Sequence, residues 1–220
     1  MPNVAVLISG RGSNLQSLID AARQRDYPAT ISLVISNNAA AAGLNRAKKA
    51  EIEQHVVDHK DFENRADFEA ALQQILITKN IDYICLAGFM RMLSVQFVDQ
   101  WRGRLLNIHP SLLPSFKGLN VHERMIDAGV KIAGCTVHLV SPEMDAGPII
   151  GQAAVPVLPD DNAQILAARI LAQEHILYPE CLRLLVEGKA RVTGSVVRYD
   201  RDITTDAWLS NPPTVHLPKG

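Results

Sequence analysis

Cysteine is scarce in this chain. There are three among 220 residues, Cys85, Cys135 and Cys181, an odd number set far apart. That excludes a disulfide framework and suits buried thiols in a reducing compartment. Cys85 falls inside the apolar run Tyr83-Ile84-Cys85-Leu86-Ala87, which makes it a core residue rather than a nucleophile. Cys-x-x-Cys and His-Glu-x-x-His are absent, and the only close histidine pair is His55 and His59. Their spacing suits a helix, but Ile52 to Val57 reads as strand, so no metal site is expected. The net charge is −1 with no basic stripe, which argues against nucleic acid as a partner. No apolar segment is long enough to span a bilayer. The amino terminus runs straight into a strand, with no charged region ahead of an apolar signal segment. The expectation is a cytoplasmic protein with no membrane partner.

What is present is a rhythm. Continuous apolar runs, the mark of strands buried on both faces, alternate with helical periodicity. Strands are expected at 3–9, 30–36, 53–57 and 82–87, with helices at 14–25, 42–50 and 65–78 between them. A short helix near 94–100 leads to a strand ending at Asn107, and further strands follow at 133–140 and 149–157, the last antiparallel at one edge. Asp160-Asp161-Asn162 caps a long helix from 163 to 187 that ends at Gly188. This is a single-domain α/β chain with a mostly parallel twisted sheet and helices on both faces. The domain is expected to occupy 1–200, with 201–220 a polar, Pro-containing carboxyl-terminal extension that is loosely held.

Two segments carry chemistry. Asn107 and His109 alternate at the end of an apolar run, so in extended chain both project from one face. The Asn107 amide can donate to a developing oxyanion, and His109 can carry a proton near neutral pH. Asp145, in a turn with Gly147 and Pro148, can orient that imidazole and favour its charged form. Such a set suits attack of an amine on an acyl carbon. The second segment is Ser9-Gly10-Arg11-Gly12-Ser13-Asn14, between the first strand and the first helix. Its small residues let backbone approach an anion at a helix amino terminus. A dinucleotide fingerprint would need glycine where Leu15 stands and an acid after the second strand, where Ser36-Asn37-Asn38 stands instead. The Gly-Lys-Ser/Thr of a P-loop is absent too, so the reading is a single phosphate, the alternative being a glycine turn that holds no ligand. Both segments, and Gly88–Leu93, follow strands directly and gather at one sheet edge.

The stretches Asn107–Gly118, Gly134–His138 and Met144–Ile150, in order within Val4 to about Gly188, resemble the folate-dependent formyltransferases. The likeness is to the phosphoribosylglycinamide formyltransferases of de novo purine (IMP) synthesis in particular. It implies a Rossmann-like fold, 10-formyltetrahydrofolate as co-substrate, glycinamide ribonucleotide as acceptor, no metal, and a monomer or homodimer. It implies catalysis by Asn107, His109 and Asp145, with Gly12, Ser13 and Asn14 on the substrate phosphate and Glu174 on the ribonucleotide. On the folate side it implies Arg65, Met90, Arg91, Met92, Leu93, Asn107, Val140, Ser141 and Asp145. Asn120 stands where relatives often carry His, and Cys135 where small or polar residues are common. The competing readings are a formyltetrahydrofolate deformylase, which would carry an added amino-terminal domain, and a non-catalytic nucleotide-binding module, which would not need Asn107, His109 and Asp145 together. A methionyl-tRNA formyltransferase would need a basic carboxyl-terminal module.

Overall fold

The alternation of buried runs and amphipathic helices assembles as the sequence pattern requires. The computed structural model describes residues 1–200; the expected extension at 201–220 lies outside the described residues. Along the chain run β1 (Asn3–Ile8), α1 (Ser13–Ala22), β2 (Thr30–Ser36), α2 (Gly43–Lys49), β3 (Glu53–Val56), α3 (Arg65–Thr78), β4 (Tyr83–Leu86) and α4 (Val95–Gln100). There follow β5 (Leu105–His109), α5 (Val121–Asp127), β6 (Ile132–Leu139), β7 (Ile149–Pro156), α6 (Ala163–Val186), β8 (Ala190–Thr193) and β9 (Val196–Tyr199). Seven strands form one sheet in the order β3-β2-β1-β4-β5-β6-β7, and β8-β9 form a separate hairpin. The pairs from β3 to β5 are parallel; β5–β6 and β6–β7 are antiparallel.

Side chains of β1 alternate between two cores because a strand presents successive residues to opposite faces. Val4, Val6 and Ile8 pack with Leu15, Leu18 and Ile19 of α1 and Tyr178 and Leu182 of α6. Ala5 and Leu7 pack with Phe68, Leu72 and Leu76 of α3 and Phe97 of α4. Val121 and Met125 of α5 close a third cluster with Cys135, Val155, Leu166 and Ile170. All three cysteines are buried inside this packing, and burial pushes the thiols of Cys85 and Cys135 up to about 12. Among the described residues no helix is long and apolar enough to cross a membrane.

The end of β5 and two whole elements depart from expectation. β5 continues two residues past Asn107 to His109, because β6 supplies antiparallel partners as far as the pair His109↔Thr136 before Pro110 ends the strand. α5 is unannounced in the sequence: Asn120 takes a left-handed conformation ahead of it without a side-chain cap, and two residues, Val121 and Met125, are buried. The β8–β9 hairpin is too short and too exposed to show an alternation. The cap on α6 is as read, with Asn162 accepting from Ile165 N–H at 2.9 Å.

The sheet order reverses between β1 and β4, so the loops after their carboxyl ends diverge and leave a crevice. Tyr178 is fully buried and lies 3.0 Å from the carbonyl of Leu86, at the end of β4, and 3.1 Å from that of Leu106, near the start of β5. Tyr178→Phe removes a hydroxyl donor that these carbonyls share while leaving their strand pairing in place. It should cost about 0.5–1.5 kcal/mol, read as a lower urea midpoint at unchanged slope. A wild-type midpoint would mean that the strand pairing alone satisfies the carbonyls.

Candidate functional site

The antiparallel register of β5 on β6 sets His138 opposite Asn107 and Thr136 opposite His109. Asn107 Nδ2 donates to His138 Nε2 at 3.2 Å, while His138 Nδ1 donates to the Leu139 carbonyl at 3.0 Å. These partners assign a neutral ring with its proton on Nδ1. Burial, first of all, holds the His138 imidazole below the usual histidine value; the Leu139 carbonyl and the charge of Asp145 pull the other way. One amide hydrogen of Asn107 is thus committed, and the second has no acceptor among the described residues.

His109 donates from Nε2 to the Phe116 carbonyl at 3.0 Å, and its Nδ1 lies 3.6 Å from Asp145 Oδ2. Asp145 Oδ1 is 3.9 Å from His138 Nε2. Both separations exceed hydrogen-bond length, so the carboxylate acts on the two rings through its charge. Its position is fixed by a different contact: Gly118 N–H donates to Asp145 Oδ2 at 2.9 Å. The loop between β5 and α5 is itself tied to β6 and β7. Thr136 Oγ1 donates to the Ser111 carbonyl at 2.6 Å and accepts from Leu113 N–H at 3.0 Å; Gln152 donates to the Leu113 carbonyl at 2.9 Å.

The glycine loop is the second half. Gly12 precedes α1 at φ +69°, and a Cβ there would lie 2.7 Å from Gly43 Cα. Close packing of α1 on α2 therefore demands this glycine independently of any ligand. The amides of Ser13, Asn14 and Leu15 precede the first helical bond, Gln16 N–H to Gly12 C=O at 3.0 Å, and the first turn contains no acid. Arg46 of α2 donates to the Arg11 carbonyl at 3.0 Å and to Gln16 Oε1 at 3.2 Å. Asn14 Nδ2 donates to Glu174 Oε2 at 2.6 Å, and both residues are buried. Burial raises the Glu174 carboxyl above the ordinary range, against the opposing effects of the Asn14 bond and the charge of His109. A cleft of about 760 Å³ runs along α1 and α6, bordered by Ser13, Arg46 and His175, but it excludes Asn107, His109 and Asp145. Converging polar groups at strand ends are the better guide to chemistry than volume.

Of the folate-side residues, Met90, Arg91 and Met92 are exposed in the loop after β4. That loop is tied to the glycine loop by Met90 N–H, which donates to Ser9 Oγ at 2.8 Å. Leu93 and Val140 pack against one apolar cluster, and Ser141 Oγ donates to the Glu143 carbonyl at 3.0 Å. Arg65 is exposed at the start of α3; no hydrogen bond or ion pair among the described residues joins it to the Asn107 group. Among the described residues no cluster of three His, Cys, Asp or Glu could hold a metal. Thr136 and His138 entered the sequence reading only within the Gly134–His138 stretch, with no role given to either, and Gln152 and Arg46 had no part in it. Their partners are far along the chain, and only the β5–β6 and α1–α2 juxtapositions bring them in.

Residues 2–182 match the family model described as formyl transferase. The chain is 53% identical over 189 residues to the trifunctional purine biosynthetic protein adenosine-3 of Bos taurus, covering 86% of this chain and 19% of that protein. It therefore spans about a fifth of the length of that relative. It is 44% identical over 200 residues to the phosphoribosylglycinamide formyltransferase of Haemophilus influenzae, covering 91% of this chain and 94% of the other. Among solved structures it is similar to glycinamide ribonucleotide transformylase 1 from Symbiobacterium toebii, with a TM-score of 0.88 at 45% identity, over 90% of this chain and 94% of that one.

Since His138 has a lower pKa folded than unfolded, the unfolded chain takes up a proton first as pH falls below about 6.5. Stability attributable to the neutral ring is therefore lost downward from that pH. His138→Gln keeps an acceptor for Asn107 and cannot titrate. It should flatten the decline in unfolding free energy between about pH 6.5 and 5, measured by urea denaturation at each pH. An unchanged decline would mean that the folded ring takes up its second proton as readily as the unfolded one.

Proposed function

The chain belongs to the formyl transferase family, and from that premise we propose that it moves a formyl group from 10-formyltetrahydrofolate to the amine of glycinamide ribonucleotide, in purine synthesis. The observation that carries this is the meeting of Asn107, His109 and Asp145, with His138, at the carboxyl end of β5. The amine attacks the formyl carbon, forming a C–N bond and a tetrahedral oxyanion. The uncommitted N–H of Asn107 is the donor to that oxyanion. The amine loses a proton as the bond from the formyl carbon to the folate nitrogen breaks, and that nitrogen gains one. His109 is the group of suitable chemistry to carry it. Asp145 stabilises the ring while it bears charge. His138 holds the Asn107 amide and stays neutral.

The substrate phosphate sits on the amides of Ser13 and Asn14, with the positive end of α1 behind them. Glu174 faces the ribonucleotide from α6, and the loop 90–93 with Val140 and Ser141 borders the folate. Arg65 supports this reading least: it is exposed at the start of α3 and joined to none of the others.

His109→Ala should lower kcat roughly 10²–10⁴-fold with little change in KM, and Asn107→Ala should lower it roughly 10²–10³-fold. Formyl transfer from 10-formyltetrahydrofolate to glycinamide ribonucleotide is the assay. Near-wild-type kcat in a folded His109→Ala chain would remove the histidine from the reaction. Hydrolysis of the donor unaffected by added ribonucleotide would replace transfer with deformylation.

The phosphate is better tested on the substrate, because Gly12 is also needed for packing. Glycinamide riboside, which lacks the phosphate, should show a KM about 10–100 times that of the ribonucleotide, the scale of lost charge-assisted hydrogen bonds. Equal KM values would take the phosphate away from α1.

A further inference from the structure

Arg124 stands on the exposed side of α5, outside every group named above. Val121 and Met125, on either side of it in sequence, are buried, so the helix that carries it is firmly seated. Its guanidinium grips one loop from outside. Nη1 donates to the Lys117 carbonyl at 2.6 Å and lies 3.4 Å from the Leu119 carbonyl; Cζ is 5.7 Å from the centre of the Phe116 ring. A planar, charged fork suits this combination of two carbonyls and an aromatic face.

The gripped loop supplies the backbone groups that fix the two partners in the site. The Phe116 carbonyl accepts from His109 Nε2, and Gly118 N–H donates to Asp145 Oδ2. Phe116 has φ +55°, a conformation a bulky L-residue adopts only when its surroundings impose it. Ser111 Oγ is 3.2 Å from the same carbonyl, but its shorter contact, 2.7 Å, is to Ser115. The Phe116 carbonyl is the one hydrogen-bond partner of the His109 ring among the described residues. Asp145, His138 of β6, His122 of α5 and Glu174 of α6 reach that ring through charge.

We propose that Arg124 is a positioning residue. By holding Phe116 and Lys117 from the surface it keeps the His109 proton on Nε2 and turns Nδ1 toward Asp145. It touches no reacting atom. Its effect on turnover rests on the formyl-transfer reading; its effect on the ring does not.

The test uses the full chain with Arg124→Ala and Arg124→Lys. Nitrogen-15 NMR of the His109 ring, in the neutral range and without substrate, should show one Nε2–H tautomer in the wild type and a mixture in Arg124→Ala. In the transfer assay Arg124→Ala should lose about tenfold or more in kcat, with KM within about twofold. Its Tm should stay within about 2 °C, as for an exposed substitution. Arg124→Lys keeps the charge without the fork and should stay closer to the alanine variant. A wild-type tautomer and kcat in Arg124→Ala, or full recovery by lysine, overturns the proposal. A wild-type chain without transfer activity overturns the functional reading alone, since the ring spectrum still decides on Arg124.

Discussion

The antiparallel pairing of β5 with β6 is the constraint on which the site depends. It places His138 across from Asn107 and Thr136 across from His109, and each pair does something different. The first fixes an amide against a neutral imidazole. The second anchors the loop that turns back to meet His109. A slip of one residue would send every one of these side chains to the opposite face. The register is held because both strands are buried, and a slip would turn away from α6 the apolar set that packs against it.

The long helix α6 joins the two halves. Glu174 and Tyr178 lie one turn apart on its inner side. The first bonds Asn14 at the start of α1; the second bonds the carbonyls of Leu86, at the end of β4, and Leu106, near the start of β5. The glycine loop and the Asn107 group are thus referred to one rigid element. Carboxyl groups in the site are held by different means. Burial dominates at Glu174, whereas Asp145 is positioned by a backbone N–H and faces two imidazoles beyond hydrogen-bond length. That arrangement keeps a buried charge satisfied without committing either ring.

Much of the scaffold was legible. Runs such as Val4 to Ile8 can only be central strands, because apolar residues at both parities require cover on both faces. The spacing of Leu15, Leu18 and Ile19 can only be one face of a helix, and Asn162 and Gly188 bound α6 as cap chemistry demands. Asn107 and His109 were likewise readable as a same-face pair, since alternation is a property of any extended segment. α5 and the β8–β9 hairpin were not readable: each buries few residues and has weak end signals, so tertiary contact makes them.

The sequence by itself determined which elements form and which side chains share a face, because those are local consequences of backbone geometry and solvent avoidance. Only the tertiary structure decided who meets whom. Nothing near His138 in sequence marks Asn107 as its partner, and nothing near Gly118 marks its N–H for Asp145. Gly12 showed the same division. Its freedom was evident from composition, but the neighbour that demands it, the Gly43 backbone, lies on another helix. Partners separated by tens of residues are chosen by sheet register and helix packing, and those depend on the whole core closing at once.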